Sequence, residues 1–181
     1  MKSQQLLYTE RLLLRPFVLE DAKRVQELAG DIKIASYTLN IPHPYEDGMA
    51  ETWINTHRDN LEQNKSVDYA VVINETQELI GAISLMLETN HKKAEIGYWF
   101  GVPYWNKGYC TEALKEIIKY GYEQLDLNRI YARAMVENEG SWRVMEKAGM
   151  YFEGVRRQEV LKWGEFKDLK YYYLLKEDYA K

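Results

Sequence analysis

The stretch "GVPYWNKGYCTEALKEIIKYGYEQL", residues 101–125, decides how the rest of the chain is read. Its first half resists helix formation, because Pro103, Asn106 and Gly108 crowd together with no acidic residue among them. Its second half places Leu114, Ile117, Ile118, Gly121 and Leu125 on one face, as an amphipathic helix packing on a sheet does. About four amides at a helix start lack an internal partner, and the dipole puts roughly half a positive charge there. Pro103 holds the approach extended and Lys107 adds a full charge. Gly108 lets backbone come close to a ligand, and small Cys110 leaves room beside it. Such a join suits a phosphate or pyrophosphate. An ordinary strand-to-helix connection with a glycine is the other reading that spacing allows. Neither GxxxxGK[ST] nor GxGxxG occurs, so nucleotide hydrolysis and dinucleotide binding lose their usual supports.

Outward from this join, residues 11–17 read as a first strand, ended by Pro16. Residues 19–30 form a short helix with Ala22, Val25, Leu28 and Ala29 on one face and Gly30 as its stop. Residues 31–45, with Pro42 and Pro44, read as a loop, and 46–64 as a second helix carrying Met49, Trp53, His57 and Leu61. Three strand-like runs follow, "DYAVVI", "ELIGAISLML" and "KAEIGYWF". After the helix of the opening stretch come the strand "RIYARAMV" and the helix "ENEGSWRVMEKAG". A long hairpin over 151–173 ends this order, with Trp163, Gly164 and Glu165 near its turn. The order predicts one α/β (α+β) domain over residues 1–181.

Composition agrees with a globular protein, at 46% apolar and 29% charged residues. A chain of 181 residues buries about 70% of its unfolded surface. The net charge of −4 argues against general binding to nucleic acid or anionic membranes. One cysteine, Cys110, excludes an intrachain disulfide and a multi-thiolate metal site. His43, His57 and His91 lack metal-ligand spacing, so no metal is expected. No apolar run approaches a membrane span and no signal-peptide core opens the chain, which makes a cytoplasmic location the expectation.

Trp105-Asn106-Lys107-Gly108-Tyr109-Cys110 resembles the acetyl-CoA pyrophosphate loop of the GNAT N-acetyltransferases, written Q/R-x-x-G-x-G/A. The following "TEAL", the preceding "EIGYWF" and the later run Asn138-x-x-Ser141 to Met150 extend the resemblance over nearly the whole chain. Trp105 and Cys110 depart from the pattern, and tolerance is expected at both because main chain holds most of the phosphate. "TERLLLRP" near the start and "D…YYYLL" near the end are similar to the ribosomal-protein N-terminal acetyltransferase branch. The resemblance implies a GNAT fold: one mixed, mostly antiparallel sheet of about seven strands, helices on both faces, and a splayed central strand pair. It further implies acetyl-CoA as cosubstrate, held around Phe100, Gly101, Val102, Trp105, Asn106, Lys107, Gly108, Tyr109, Cys110, Thr111, Asn138 and Ser141. Gly97 and Gly101 suit a bulge and a close approach in the strand before the loop.

By the same resemblance, Ser141 hydrogen-bonds the coenzyme sulfur and assists its departure, with Asn138 capping its helix. Many relatives use a tyrosine four residues on as general acid. Here that residue is Met145, which cannot donate. Glu95 is the candidate general base, with Glu88 or a water chain as rivals. Cys110 is read as a small residue under the phosphates, and the aromatic run Tyr98 to Phe100 as core or cleft wall. The implied reaction is direct acetyl transfer to a primary amine in a ternary complex, with a protein N-terminus, such as that of a ribosomal protein, as acceptor. A small amine of polyamine or aminoglycoside type is the rival acceptor, and a non-catalytic coenzyme-A-binding module the rival class. A monomer and a homodimer are both compatible with the chain.

Overall fold

A computed structural model describes residues 4–179. Its eight strands form one sheet in the order β1-β2-β3-β4-β5-β6-β8-β7. They are β1 (Leu7–Tyr8), β2 (Leu12–Arg15), β3 (Ser66–Ile73), β4 (Leu79–Glu88), β5 (Lys93–Phe100), β6 (Arg129–Met135), β7 (Tyr151–Lys162) and β8 (Glu165–Leu175). Every pairing is antiparallel except β5 with β6. The strand beyond the expected seven is the two-residue β1, too short to show a pattern of alternation.

Alternation sorts the sheet's two faces. Leu12, Leu14, Val67, Tyr69 and Val71 join one core with α4 (Tyr109–Glu123) and α5 (Glu139–Lys147). Leu13, Ala70 and Val72 join a second core with α1 (Ala22–Ala29) and α3 (Met49–Glu62). Burying both faces explains why β3 is apolar almost throughout. Gly121 brings α4 close to the sheet, since a Cβ there would stand 2.7 Å from the Ile130 side chain.

Three expectations need correcting. The segment 31–45 is not all loop: α2 (Ile32–Tyr37) forms within it, capped by Asp31, whose carboxylate accepts from the Lys33 amide at 2.8 Å. Six residues give too few turns for a period, and buried Ile34 and Ala35 owe their helix to tertiary packing. The bulge expected at Gly97 or Gly101 is also absent. β5 runs against β4 in unbroken register from Lys93 to Phe100. Instead Gly101 makes room for Leu28, whose Cδ2 would lie 2.7 Å from an added Cβ. The second long helix starts at Met49, after Gly48 in a left-handed conformation, and not at residue 46.

The splayed pair is present. β5 and β6 pair only from Lys93 with Arg129 to Ile96 with Ala132, yet both strands continue. Beyond that point β5 keeps β4 and β6 keeps β8, so their facing edges part.

Candidate active site

The parting strands open into a cleft of about 1830 Å³, which reaches the N-terminus of α4 on one side and α2 and α3 on the other. At the α4 end, Asn106 (φ 59°) and Gly108 (φ 81°) are both left-handed, a geometry that turns successive amides toward one concavity. Glyless backbone rarely adopts it, which is why Gly108 stands at the helix start. The Glu112 amide bonds the Gly108 carbonyl at 3.0 Å. Among the described residues, no backbone carbonyl accepts from the amides of Tyr109, Cys110 or Thr111. A positively polarised cradle with uncommitted amides fits a pyrophosphate.

The loop is fastened from behind by Arg11. Its Nε donates to Glu112 Oε2 at 2.7 Å, its Nη1 to the Lys107 carbonyl at 3.0 Å, and its guanidinium lies 4.6 Å from the Tyr109 ring centre. Thr9 Oγ1 and the Arg11 amide also donate to Glu112. Burial alone would raise the Glu112 carboxyl, but the bonds from Thr9 and Arg11 outweigh it and hold it below the usual range. Trp105 ties the loop to β5, its Nε1 donating to the Phe100 carbonyl at 2.6 Å. That carbonyl is therefore committed, although Phe100 was expected among the groups open to the coenzyme.

Of the expected coenzyme contacts, Phe100, Trp105, Asn106, Gly108, Cys110 and Thr111 line the cleft, as do Asn138 and Ser141. Gly101, Val102, Lys107 and Tyr109 do not. Lys107 Nζ instead lies 5.7 Å from the Tyr104 ring centre, and the Gly101 amide bonds the Ile80 carbonyl. Burial pushes the Cys110 thiol above its ordinary value, which favours the protonated form over the thiolate nucleophile.

Across the gap, Asn138 caps α5 by accepting the Ser141 amide on Oδ1 at 3.2 Å. This sets Ser141 in the first turn. Its hydroxyl lies 2.9 Å from the Tyr98 hydroxyl, which also donates to the Ser141 carbonyl at 3.0 Å. Tyr98 belongs to the expected aromatic wall, but its contact with a residue 43 positions away carries no sequence signal. Met145, which cannot donate a proton, is buried in the core beneath α4 and α5.

On the opposite face of the sheet, Asp68, Ser84 and Gly97 stand in line across β3, β4 and β5. Glu95 lies on this face and accepts from Arg133 Nε at 2.7 Å. Asp68 accepts from Ser66 Oγ at 2.5 Å. Glu88, the rival base, lies off the cleft wall, bound by Lys93 at 3.1 Å and Tyr131 at 3.2 Å. His57 packs between Phe17 and Trp53, at ring-centre distances of 5.1 and 4.5 Å, and burial lowers its pKa so that the imidazole is neutral.

The model of the family described as "Acetyltransferase (GNAT) domain" matches residues 11–151. An uncharacterized N-acetyltransferase of Bacillus licheniformis, p20, is 34% identical, covering 96% of this chain and 98% of its own. A crystal structure described as a GNAT-family acetyltransferase from Bacillus anthracis superposes with a TM-score of 0.85 at 31% identity, covering 96% of this chain and 99% of that one. YdaF of Bacillus subtilis, named as a candidate ribosomal N-acetyltransferase, is 42% identical over 102 residues, 56% of each chain.

Proposed function

The chain belongs to the GNAT acetyltransferase family, and we propose that it acetylates a single primary amine at the end of a peptide, a protein N-terminus. The family's chemistry is N-acetyl transfer, and acetyl-CoA supplies the acetyl group. In this reading the amides at the start of α4 hold the pyrophosphate, and the parted edges of β5 and β6 receive the pantetheine arm. The backbone donors freed there also polarise the thioester carbonyl, where negative charge gathers as the amine attacks. Ser141, at the positive end of α5, donates its hydroxyl proton toward the departing sulfur. Glu95 takes the proton that the acceptor ammonium loses before it attacks as the free amine.

The charge of the cleft floor supports the choice of acceptor. Asp68 and Glu95 both line the cleft on this face, and Glu95 is already paired with Arg133, so Asp68 is the carboxylate left for an ammonium there. A polyamine carries several. The walls beyond are long and largely apolar, with Tyr37, Leu39, Ile41 and Trp53, as an extended peptide requires. The partial likeness to YdaF points the same way. A second reading, a polyamine acceptor, draws on the spermidine N(1)-acetyltransferase of Vibrio cholerae, 27% identical over 93% of this chain.

Release of coenzyme A thiol is followed across peptide N-termini, polyamines and aminoglycosides. Turnover with peptides supports the proposal. Turnover with small amines alone overturns it in favour of the second reading. Binding of acetyl-CoA without turnover on any acceptor counts against all three acceptor classes and leaves another acceptor or a non-catalytic module.

A further inference from the structure

Ser141 does not stand alone: its hydroxyl meets Tyr98, a residue on β5 just past the last β5–β6 pair. Tyr98 points to the same face as Ile96 and Phe100, and its ring packs against the core beneath α4 and α5. The phenol oxygen is thereby held within 2.9 Å of Ser141 Oγ and 3.0 Å of the Ser141 carbonyl.

Between them the two hydroxyls own two protons, and they can share them in two ways. In one, Tyr98 donates to the Ser141 carbonyl and Ser141 donates to the Tyr98 oxygen. The serine proton is then turned away from the cleft. In the other, Tyr98 donates to Ser141 Oγ, which frees the serine proton to point into the cleft. The carbonyl loses little, since a carbonyl in a helix's first turn also accepts from the amide four residues on. Only the second arrangement lets Ser141 donate to a departing sulfur.

We infer that Tyr98 is the positioning residue for leaving-group departure, donating its phenol proton to Ser141 Oγ so that the serine proton is aimed at the sulfur. This rests on the reading of Ser141 given above. A donor into Oγ also stabilises the negative charge that grows there as its own proton is drawn away, a gain that is large in a dry site. Burial raises the Tyr98 phenol well above its ordinary value, with the neighbouring Cys110 adding to the effect. Tyr98 therefore stays protonated across the working range, as a permanent donor. With Met145 in place of a direct acid, the protein reaches a similar end through two hydroxyls.

Tyr98→Phe removes one oxygen and keeps the ring. The expected result is a fall in kcat of ~10-fold with unchanged KM for acetyl-CoA and unchanged thermal midpoint. The double variant Tyr98→Phe/Ser141→Ala should be no slower than Ser141→Ala alone, because the two hydroxyls act as one unit. The loss in Tyr98→Phe should shrink with an acetyl-thioester analogue of the coenzyme whose thiol is more acidic, an outcome that altered packing would not produce. Wild-type kcat in Tyr98→Phe, beside a slow Ser141→Ala, overturns the inference and leaves the Ser141 reading intact. Additive losses in the double variant, or a loss indifferent to thiol acidity, overturn it too. A neutral Ser141→Ala removes the Ser141 reading itself, and the inference falls with it.

Discussion

The two ends of the cleft are built on different plans. At the end proposed for the coenzyme, the groups facing the cleft are main-chain amides, arranged by the left-handed backbone of Asn106 and Gly108 and by the start of α4. At the end proposed for the amine, they are side chains gathered from separate elements: Glu95 on β5, Arg133 on β6, Asp68 on β3 and Trp53 on α3. A backbone site tolerates side-chain change but not a change of conformation. A side-chain site behaves in the opposite way. Under the proposed function, this plan assigns constancy to the common cosubstrate and leaves variation to the acceptor.

If this contrast holds, variants near the chemistry should lower kcat and variants at the coenzyme end should weaken binding. The largest effect is expected for Ser141→Ala, a fall in kcat of ~10- to 100-fold with little change in acetyl-CoA affinity. An unchanged kcat would remove Ser141 from the mechanism. Next, Glu95→Gln should lower kcat/KM by ~10-fold at pH 7. For an α-amine the loss should fade above about pH 8, where the acceptor is already neutral, whereas for a lysine-type amine it persists toward about pH 10. A pH–rate profile of wild type and variant therefore tests both the base and the acceptor class.

At the other end, Gly108→Val forces a β-branched residue into a left-handed conformation, with Arg11 Nη2 3.3 Å from its Cβ. Several-fold weaker acetyl-CoA binding is expected by calorimetry, and wild-type affinity would refute the phosphate cradle. Smallest is Arg11→Ala, which frees the Lys107 carbonyl and Glu112. It should weaken coenzyme binding by about two- to threefold and leave saturated kcat alone. A matching loss of kcat would erase the contrast between the two ends.

Much of the fold was legible because strong local patterns coincide with tertiary ones. The helix face of Leu114, Ile117 and Ile118 is the buried face of α4, and β5 and β6 beneath it largely alternate between buried and half-buried positions. Where few residues carry the pattern, the reading failed, as at β1 and α2. The cap of α5 by Asn138 over the Ser141 amide was legible because a cap acts over three residues. The direction of the loop side chains was not: Lys107 reads as a phosphate contact and turns to Tyr104, while Trp105 turns to Phe100. Arg11 went unnoticed among ordinary strand residues, since its clamp on Glu112 joins positions 101 apart.

By itself the chain determines what depends on neighbours along the backbone: the glycine that starts α4 in a left-handed turn, the cap that places Ser141, and the apolar faces that oblige the helices to cover the sheet. Tertiary structure alone decides the parting of β5 from β6, the pairing of Glu95 with Arg133 across 38 residues, and the meeting of Tyr98 with Ser141 across 43. The reason is physical. Backbone conformation and capping are settled within a few residues, whereas which side chains meet in a cleft depends on sheet register and helix packing, where distant segments bury their apolar surface together.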